Sequence, residues 1–159
     1  KPAMFLTAYL LIRYWLYIKS IIFNIHGEHK NLRKILIFGI GSAICLVIHS
    51  IFLGIKFDYD LYKFFRRFVL LGFIIFEIIA QSLLVINLFK IKDKISNIVN
   101  KNILILKIIL VAFLIIVAFA SLPILTTSGH VHFKHALEWN YFVGVITFYL
   151  LTFFFWKRA

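Results

Sequence analysis

Long apolar runs separated by clusters of charge are the feature that most restricts the fold of this chain. Each run is about 20 residues long, which is the length a helix needs to cross the roughly 30 Å hydrocarbon core of a bilayer. Of the 159 residues, 63% are hydrophobic and 15% are charged. Soluble domains are closer to about half apolar and about a quarter charged. The sequence therefore predicts an integral membrane protein.

Five such runs predict an all-α, polytopic transmembrane helical bundle. Helices satisfy their own backbone hydrogen bonds in lipid, and the apolar residues do not alternate with a period of two, as they would in a barrel. No linker or internal repeat divides the chain, so we expect residues 1–159 to form a single transmembrane helical domain. The predicted spans are approximately residues 4–23, 35–55, 68–89, 103–125 and 136–156.

The first run is the least typical of the five, because Arg13 and Lys19 interrupt it. In a spanning helix, Arg13 would face a protein interior or extend its charged end toward the interface. A helix lying on the membrane surface is the alternative interpretation of this run.

The loops favour one orientation, because basic residues accumulate on the cytoplasmic side of a membrane. This rule places the C-terminus in the cytoplasm and the His-rich 126–135 loop on the non-cytoplasmic side, in a bacterial inner membrane or a eukaryotic membrane. The N-terminus would then lie outside. A sixth span ahead of Lys1 would return it to the cytoplasm, and the lack of an initiator Met points the same way. The residues on the predicted cytoplasmic side are Lys30, Arg33, Lys34, Lys90, Lys92, Lys94, Lys101, Lys157 and Arg158.

The net charge of +12 would suggest nucleic-acid binding in a soluble protein. Here the basic residues lie in loops between apolar runs, where they meet anionic lipid head groups. We therefore expect membrane lipid as a partner, together with other membrane subunits or a second copy of the chain, and no nucleic acid. The basic segment at residues 90–101 is one place where a lipid or a protein partner could bind.

Three of the polar residues inside the predicted second and third spans are candidate functional residues, because polar side chains are costly there. Glu77 is near the middle of the third span, and Gln81 follows one helical turn later on the same face. His49 lies on the second span at a similar depth, which permits a His49–Glu77 pair. These side chains could form a proton, ion or ligand path. Alternatively, Glu77 is a protonated carboxyl that hydrogen-bonds a neighbouring helix.

A second group of candidates precedes the last span, in the sequence SGHVHFKHALEWNYF at residues 128–142. Imidazole and carboxylate groups are ligands for zinc, copper or iron, so a metal or haem site is one hypothesis. The spacing does not match a known zinc signature, and an exposed loop beside lipid head groups is the alternative. The candidate ligands are His130, His132, His135 and Glu138.

No Walker loop, dinucleotide fingerprint, nucleophile elbow or cysteine pair occurs in the sequence. We therefore expect a non-catalytic subunit of a membrane complex or a lipid-associated scaffold. A small transporter or channel using Glu77, Gln81 and His49 is a second hypothesis. A metal- or haem-dependent redox subunit is the third.

The last predicted helix resembles that of the DRAM/Frag family of multi-span membrane proteins. That helix also opens with a His, a small residue and Glu-Trp, and it ends in a Phe-rich run before basic residues. The resemblance covers about 25 residues, and it implies about six spans and a non-enzymatic role in lipid handling or membrane trafficking. The matching positions are His132 or His135, Ala136, Glu138, Trp139 and LTFFF at 151–155.

Overall fold

Helices account for nearly all of the described chain. The computed structural model describes residues 2–27, 30–52, 55, 60–95, 97–126 and 131–156. No residue in these ranges belongs to a β-strand, so the predicted all-α fold is confirmed. The helices are α1 (Pro2–His26), α2 (Lys30–Phe52), α3 (Asp60–Lys90), the short α4 (Lys92–Ile95), α5 (Lys101–Thr126) and α6 (Val131–Phe155).

Four of these helices are long and apolar enough to cross a membrane, judged by length and composition. They fit a membrane protein and correspond to the first four predicted spans. The fifth predicted span forms α6, whose described apolar stretch, Asn140–Phe155, is shorter than the other four. Because α6 already begins at Val131, residues 131–135 of the predicted His-rich loop are helical. The four qualifying stretches are Pro2–Ile25, Asn31–Phe52, Phe64–Lys90 and Lys101–Phe119.

Residues Lys1–Leu84 form one compact unit that contains α1, α2 and most of α3. The fully buried Trp15 of α1 lies directly over Gly39 of α2. A Cβ added at Gly39 would stand 2.4 Å from the indole ring, so only glycine permits this approach. Gly27, with a φ of 73°, lies immediately after α1 and suits the left-handed conformation that often ends a helix.

Helices α2 and α3 run antiparallel within this unit. Gly41 packs against Phe76 near the middle of both helices, and Phe52 at the end of α2 contacts the Phe65 ring near the start of α3 at 5.3 Å between centroids. The Tyr62 hydroxyl lies 2.6 Å from the carbonyl oxygen of Phe52, where it can donate a hydrogen bond to the last turn of α2. The carbonyls of a final helical turn lack partners inside the helix, so this contact fixes the end of the hairpin.

Residues Val85–Ala159 form a second compact unit, in which α5 and α6 pack antiparallel. A Cβ added at Gly144 of α6 would stand 2.5 Å from Leu114 Cδ2, which shows how closely the two helices approach. At the other end of the pair, the backbone N–H of Asn100 donates to the carbonyl oxygen of Phe155 at 2.9 Å. The single-domain organisation of residues 1–159 stays a prediction.

The short α4 and its flanking residues form an amphipathic connector in the second unit. Ile91, Ile95 and Val99 are buried, whereas the side chains of Lys92 and Lys94 are exposed. The connector therefore anchors itself through apolar residues and presents its positive charges outward.

Candidate functional site

Glu77 and Gln81 of α3 and Ser42 of α2 form a buried polar group, which we call the Glu77 cluster. Their exposed fractions are 0%, 1% and 0%, respectively. The Gln81 amide Nε2 donates to Glu77 Oε1 at 2.9 Å across one helical turn. Ser42 Oγ lies 2.8 Å from Glu77 Oε2 and links the two helices. The structure thus joins two of the residues predicted from the sequence, and it adds a serine that the prediction did not include.

The Glu77 cluster lies near the middle of the stretches Phe64–Lys90 and Asn31–Phe52. Ser42 belongs to a run of small residues on α2, and a Cβ at the adjacent Gly41 would stand 2.8 Å from Phe76. The Phe76 ring packs against this glycine, and the neighbouring Ser42 side chain lies within hydrogen-bonding distance of Glu77.

The hydrogen bonds around Ser42 and the burial of Glu77 bear on the protonation of this carboxyl. Ser42 Oγ lies 2.8 Å from the carbonyl oxygen of Gly39 and also 2.8 Å from Glu77 Oε2. A hydroxyl has one proton and can donate to only one of the two acceptors. If Ser42 donates to Gly39, the second contact becomes a hydrogen bond when a protonated Glu77 donates to Ser42. Ser42 could equally donate to Glu77, so these distances fit either state of the carboxyl; the argument for a neutral Glu77 is its burial, because burying an ionised carboxylate costs far more than burying a neutral acid.

His49 lies two turns beyond Ser42 on the same face of α2, about 10 Å further along the helix axis. Since α3 runs antiparallel, the residues opposite His49 precede Glu77 by two to three turns. His49 accordingly lines a pocket with Arg66, and no hydrogen bond joins it to Glu77 among the described contacts. The structure does not form the His49–Glu77 pair that the depth estimate permits.

The pocket beside His49, which we call the His49 pocket, has a volume of about 270 Å³ and is also lined by Arg66, Arg67 and Leu70. His49 Nδ1 and Arg66 Nε are buried atoms without a hydrogen-bond partner among the described residues. The Arg66 guanidinium lies 6.0 Å from the centre of the Tyr62 ring, while the side chain of Arg67 is exposed. The pocket thus combines two arginine side chains with two buried nitrogens that have no hydrogen-bond partner among the described residues.

Lys107 of α5 carries a buried amine in the second unit, with an exposed fraction of 1%. Its Nζ donates to Thr152 Oγ1 of α6 at 2.6 Å. The same nitrogen lies 4.2 Å from the centre of the Phe148 ring and 5.4 Å from that of Phe155. Aromatic faces attract cations, more strongly where water is excluded. We did not predict Lys107 as a site residue, although a lysine inside an apolar run is the signal that would have singled it out.

The side chains of the four candidate metal ligands near the start of the last helix lie outside the described part of the structure. His130 is not among the described residues, and the side chains of His132, His135 and Glu138 are not described, although their backbone belongs to α6. Among the residues that are described, no group of three His, Cys, Asp or Glu side chains could hold a metal ion. The metal or haem hypothesis for the His-rich segment therefore stays a prediction.

Comparisons with known proteins add no relative. No family model, curated protein or solved structure matches the chain. The resemblance of the last helix to the DRAM/Frag family stays a prediction.

Proposed function

We propose that the protein is a non-catalytic integral membrane protein that acts as a lipid-associated scaffold or as a subunit of a membrane complex. The observation that carries this proposal is the internal hydrogen bonding of Glu77. Both of its carboxyl oxygens contact side chains of the same chain, Ser42 and Gln81, and all three are buried. A polar group engaged in this way stabilises the packing of two helices in lipid.

Lys107 supports the same interpretation in the second unit. Its amine contacts Thr152 and two phenylalanine rings of α6. Two of the most costly side chains to bury in a membrane are thus used to hold neighbouring helices together. Neither arrangement requires a substrate.

The outward faces of the helices support lateral partners in the membrane. Phe64, Ile116 and Phe153 are exposed to 66%, 65% and 70%, respectively. Such side chains suit contact with lipid tails, with other membrane subunits or with a second copy of the chain, and they do not suit nucleic acid. A relation to the DRAM/Frag family would agree with a role in lipid handling.

The proposed orientation places the C-terminus in the cytoplasm and the segment at 126–135 on the other side. It is supported by the larger number of basic residues in the loops assigned to the cytoplasm. The exposed Lys92 and Lys94 of the α4 connector would then face anionic lipid of the cytoplasmic leaflet. Fusion of a reporter that is active only in the cytoplasm to either end of the chain tests this orientation.

A proton or ion path through the first unit is the second candidate function. Polar groups follow the α2–α3 pair in the order Gln81, Glu77 with Ser42, and His49 with Arg66. From Gln81 to Arg66 this series covers about 22 Å of helix. Gln81 Oε1 and His49 Nδ1 are buried atoms that lack a hydrogen-bond partner in the described part of the chain, and they could bind water or an ion.

Transport measurements distinguish the two functions. The protein would be reconstituted in liposomes containing a pH-sensitive dye, and proton flux would be followed after an imposed pH gradient. The scaffold proposal predicts no flux above that of empty liposomes. Flux that Glu77→Gln abolishes and Lys92→Gln leaves unchanged would refute the scaffold proposal and support the path. Purification from native membranes in mild detergent, followed by mass spectrometry, would then identify the lipids or subunits that remain bound.

A further inference from the structure

We propose that the His49 pocket binds the phosphate group of an anionic phospholipid. The pocket belongs to the hairpin of α2 and α3, and its cationic groups have no role in the Glu77 cluster. This inference rests on the membrane location in the proposed function, and it does not depend on whether the protein is a scaffold or a transporter.

The chemistry of the lining residues suits a phosphate diester. Arg66 and Arg67 carry permanent positive charge, and guanidinium groups bind phosphate oxygens through paired N–H donors. Arg66 Nε is buried without an acceptor among the described residues, and so is His49 Nδ1, which can donate when it carries the ring proton. Buried donors of this kind are costly when unpaired, and a phosphate oxygen would satisfy them.

The depth of the pocket suits a head group. Arg66 lies near the start of the apolar stretch of α3, and His49 lies near the end of that of α2. In helices that cross a membrane, these positions would lie close to the head-group layer. Leu70, which lines the pocket one turn deeper than Arg66, provides an apolar surface for the first part of an acyl chain.

The hairpin end that carries the pocket is held in place by its own contacts. The Tyr62 hydroxyl lies 2.6 Å from the carbonyl oxygen of Phe52 and 3.1 Å from that of Ile55. The Phe52 ring contacts those of Tyr62 and Phe65 edge to face. A site whose supporting residues are already fixed loses less entropy when it binds a ligand.

Lipid titration followed by native mass spectrometry tests the proposal. The full chain in mild detergent would be titrated with phosphatidylglycerol, with phosphatidylcholine and with inorganic phosphate. We expect phosphatidylglycerol to bind more tightly than phosphatidylcholine, because the second lipid carries a compensating positive charge. The double variant Arg66→Gln/Arg67→Gln should weaken binding of phosphatidylglycerol about tenfold or more, since charged hydrogen bonds are lost.

The control variant is Arg33→Gln/Lys34→Gln, which also removes two positive charges, from exposed positions at the opposite end of α2. It should retain the affinity of the unmodified protein. Equal loss in both double variants would refute the pocket, because binding would then depend on total charge alone. Equal binding of both lipids, or binding of inorganic phosphate as tight as that of the lipid, would also refute a head-group site.

A single variant keeps the test valid if the double variant fails to fold. The side chain of Arg67 is exposed, so Arg67→Gln should fold normally and still weaken binding of phosphatidylglycerol severalfold. Unchanged binding in this variant would count against the proposal. Detection of proton flux in liposomes would refute the scaffold role while leaving the lipid titration intact, so the two failures are distinguishable.

Discussion

Replacing Glu77 by glutamine tests the proton arrangement inferred for the Glu77 cluster. Glutamine has nearly the shape of a protonated glutamic acid. Its NH₂ group can donate to Ser42 Oγ where the neutral acid donates, and its carbonyl oxygen can accept from Gln81 Nε2. We therefore expect Glu77→Gln to change the free energy of unfolding by less than about 0.5 kcal/mol, because no hydrogen bond is lost.

Replacing Glu77 by leucine removes the same contacts while nearly preserving the side-chain volume. The bonds at stake are those from Gln81 at 2.9 Å and with Ser42 at 2.8 Å. Side-chain hydrogen bonds between membrane helices contribute about 0.6 kcal/mol on average and up to about 1.7 kcal/mol. Two such bonds give an expected loss of about 1 to 3 kcal/mol for Glu77→Leu.

The measurement is unfolding of the purified protein in mixed micelles of a mild and a denaturing detergent, followed by tryptophan fluorescence. A double-mutant cycle with Ser42→Ala isolates the contact between the helices. The coupling energy should be similar whether residue 77 is glutamic acid or glutamine, and it should vanish with leucine. If Glu77→Gln were as destabilising as Glu77→Leu, an ionised carboxylate would be required and the argument for a neutral acid would be wrong.

Four further substitutions test the packing contacts by the same unfolding assay. Gly39→Ala places a Cβ against the rigid Trp15 ring and should cost about 1 to 3 kcal/mol; an unchanged stability would show that the ring moves aside freely. Thr152→Val removes the hydrogen bond from Lys107 and should cost about 1 to 3 kcal/mol, because the buried amine loses its acceptor, whereas Lys107→Met, which removes the amine itself, should cost less or be stabilising. The reverse order would mean that the amine is net favourable where it lies. Tyr62→Phe loses the hydrogen bond at the hairpin end and should cost about 1 kcal/mol, and no loss would show that this bond is replaced by water.

The existence of the helices follows from the sequence, but their ends do not. The third apolar run begins near residue 68, whereas α3 begins at Asp60 and its first two turns contain Lys63, Arg66 and Arg67. Hydropathy marks where a helix enters the hydrocarbon, and a helix continues into the polar layer as long as its backbone remains hydrogen-bonded. Positions counted from the ends of the apolar runs therefore do not give the register between two helices.

Only part of the Glu77 cluster could be predicted from the sequence. Gln81 is recognised as a neighbour of Glu77 because a spacing of four residues brings two side chains together on any helix. Ser42 depends on the register between α2 and α3, which is set by close packing at Gly41 and is not visible in either run alone. The apolar runs place His49 at a similar depth to Glu77, but the observed register places it about two turns away.

Lys107 shows why the register between helices can depend on such residues. Lipid offers apolar helices no hydrophobic reason to pack in one register over another, so close packing and polar contacts select it. In the first unit, Glu77 reaches its hydrogen-bond partners only when Ser42 lies opposite. In the second, Lys107 reaches Thr152 and the Phe148 ring only when α5 and α6 are aligned as observed. A shift of one turn in either pair would leave an ionisable side chain facing hydrocarbon, and the cost of that exposure penalises the alternatives. Each unit thus uses one costly side chain to specify the alignment of two helices that are otherwise almost uniformly apolar.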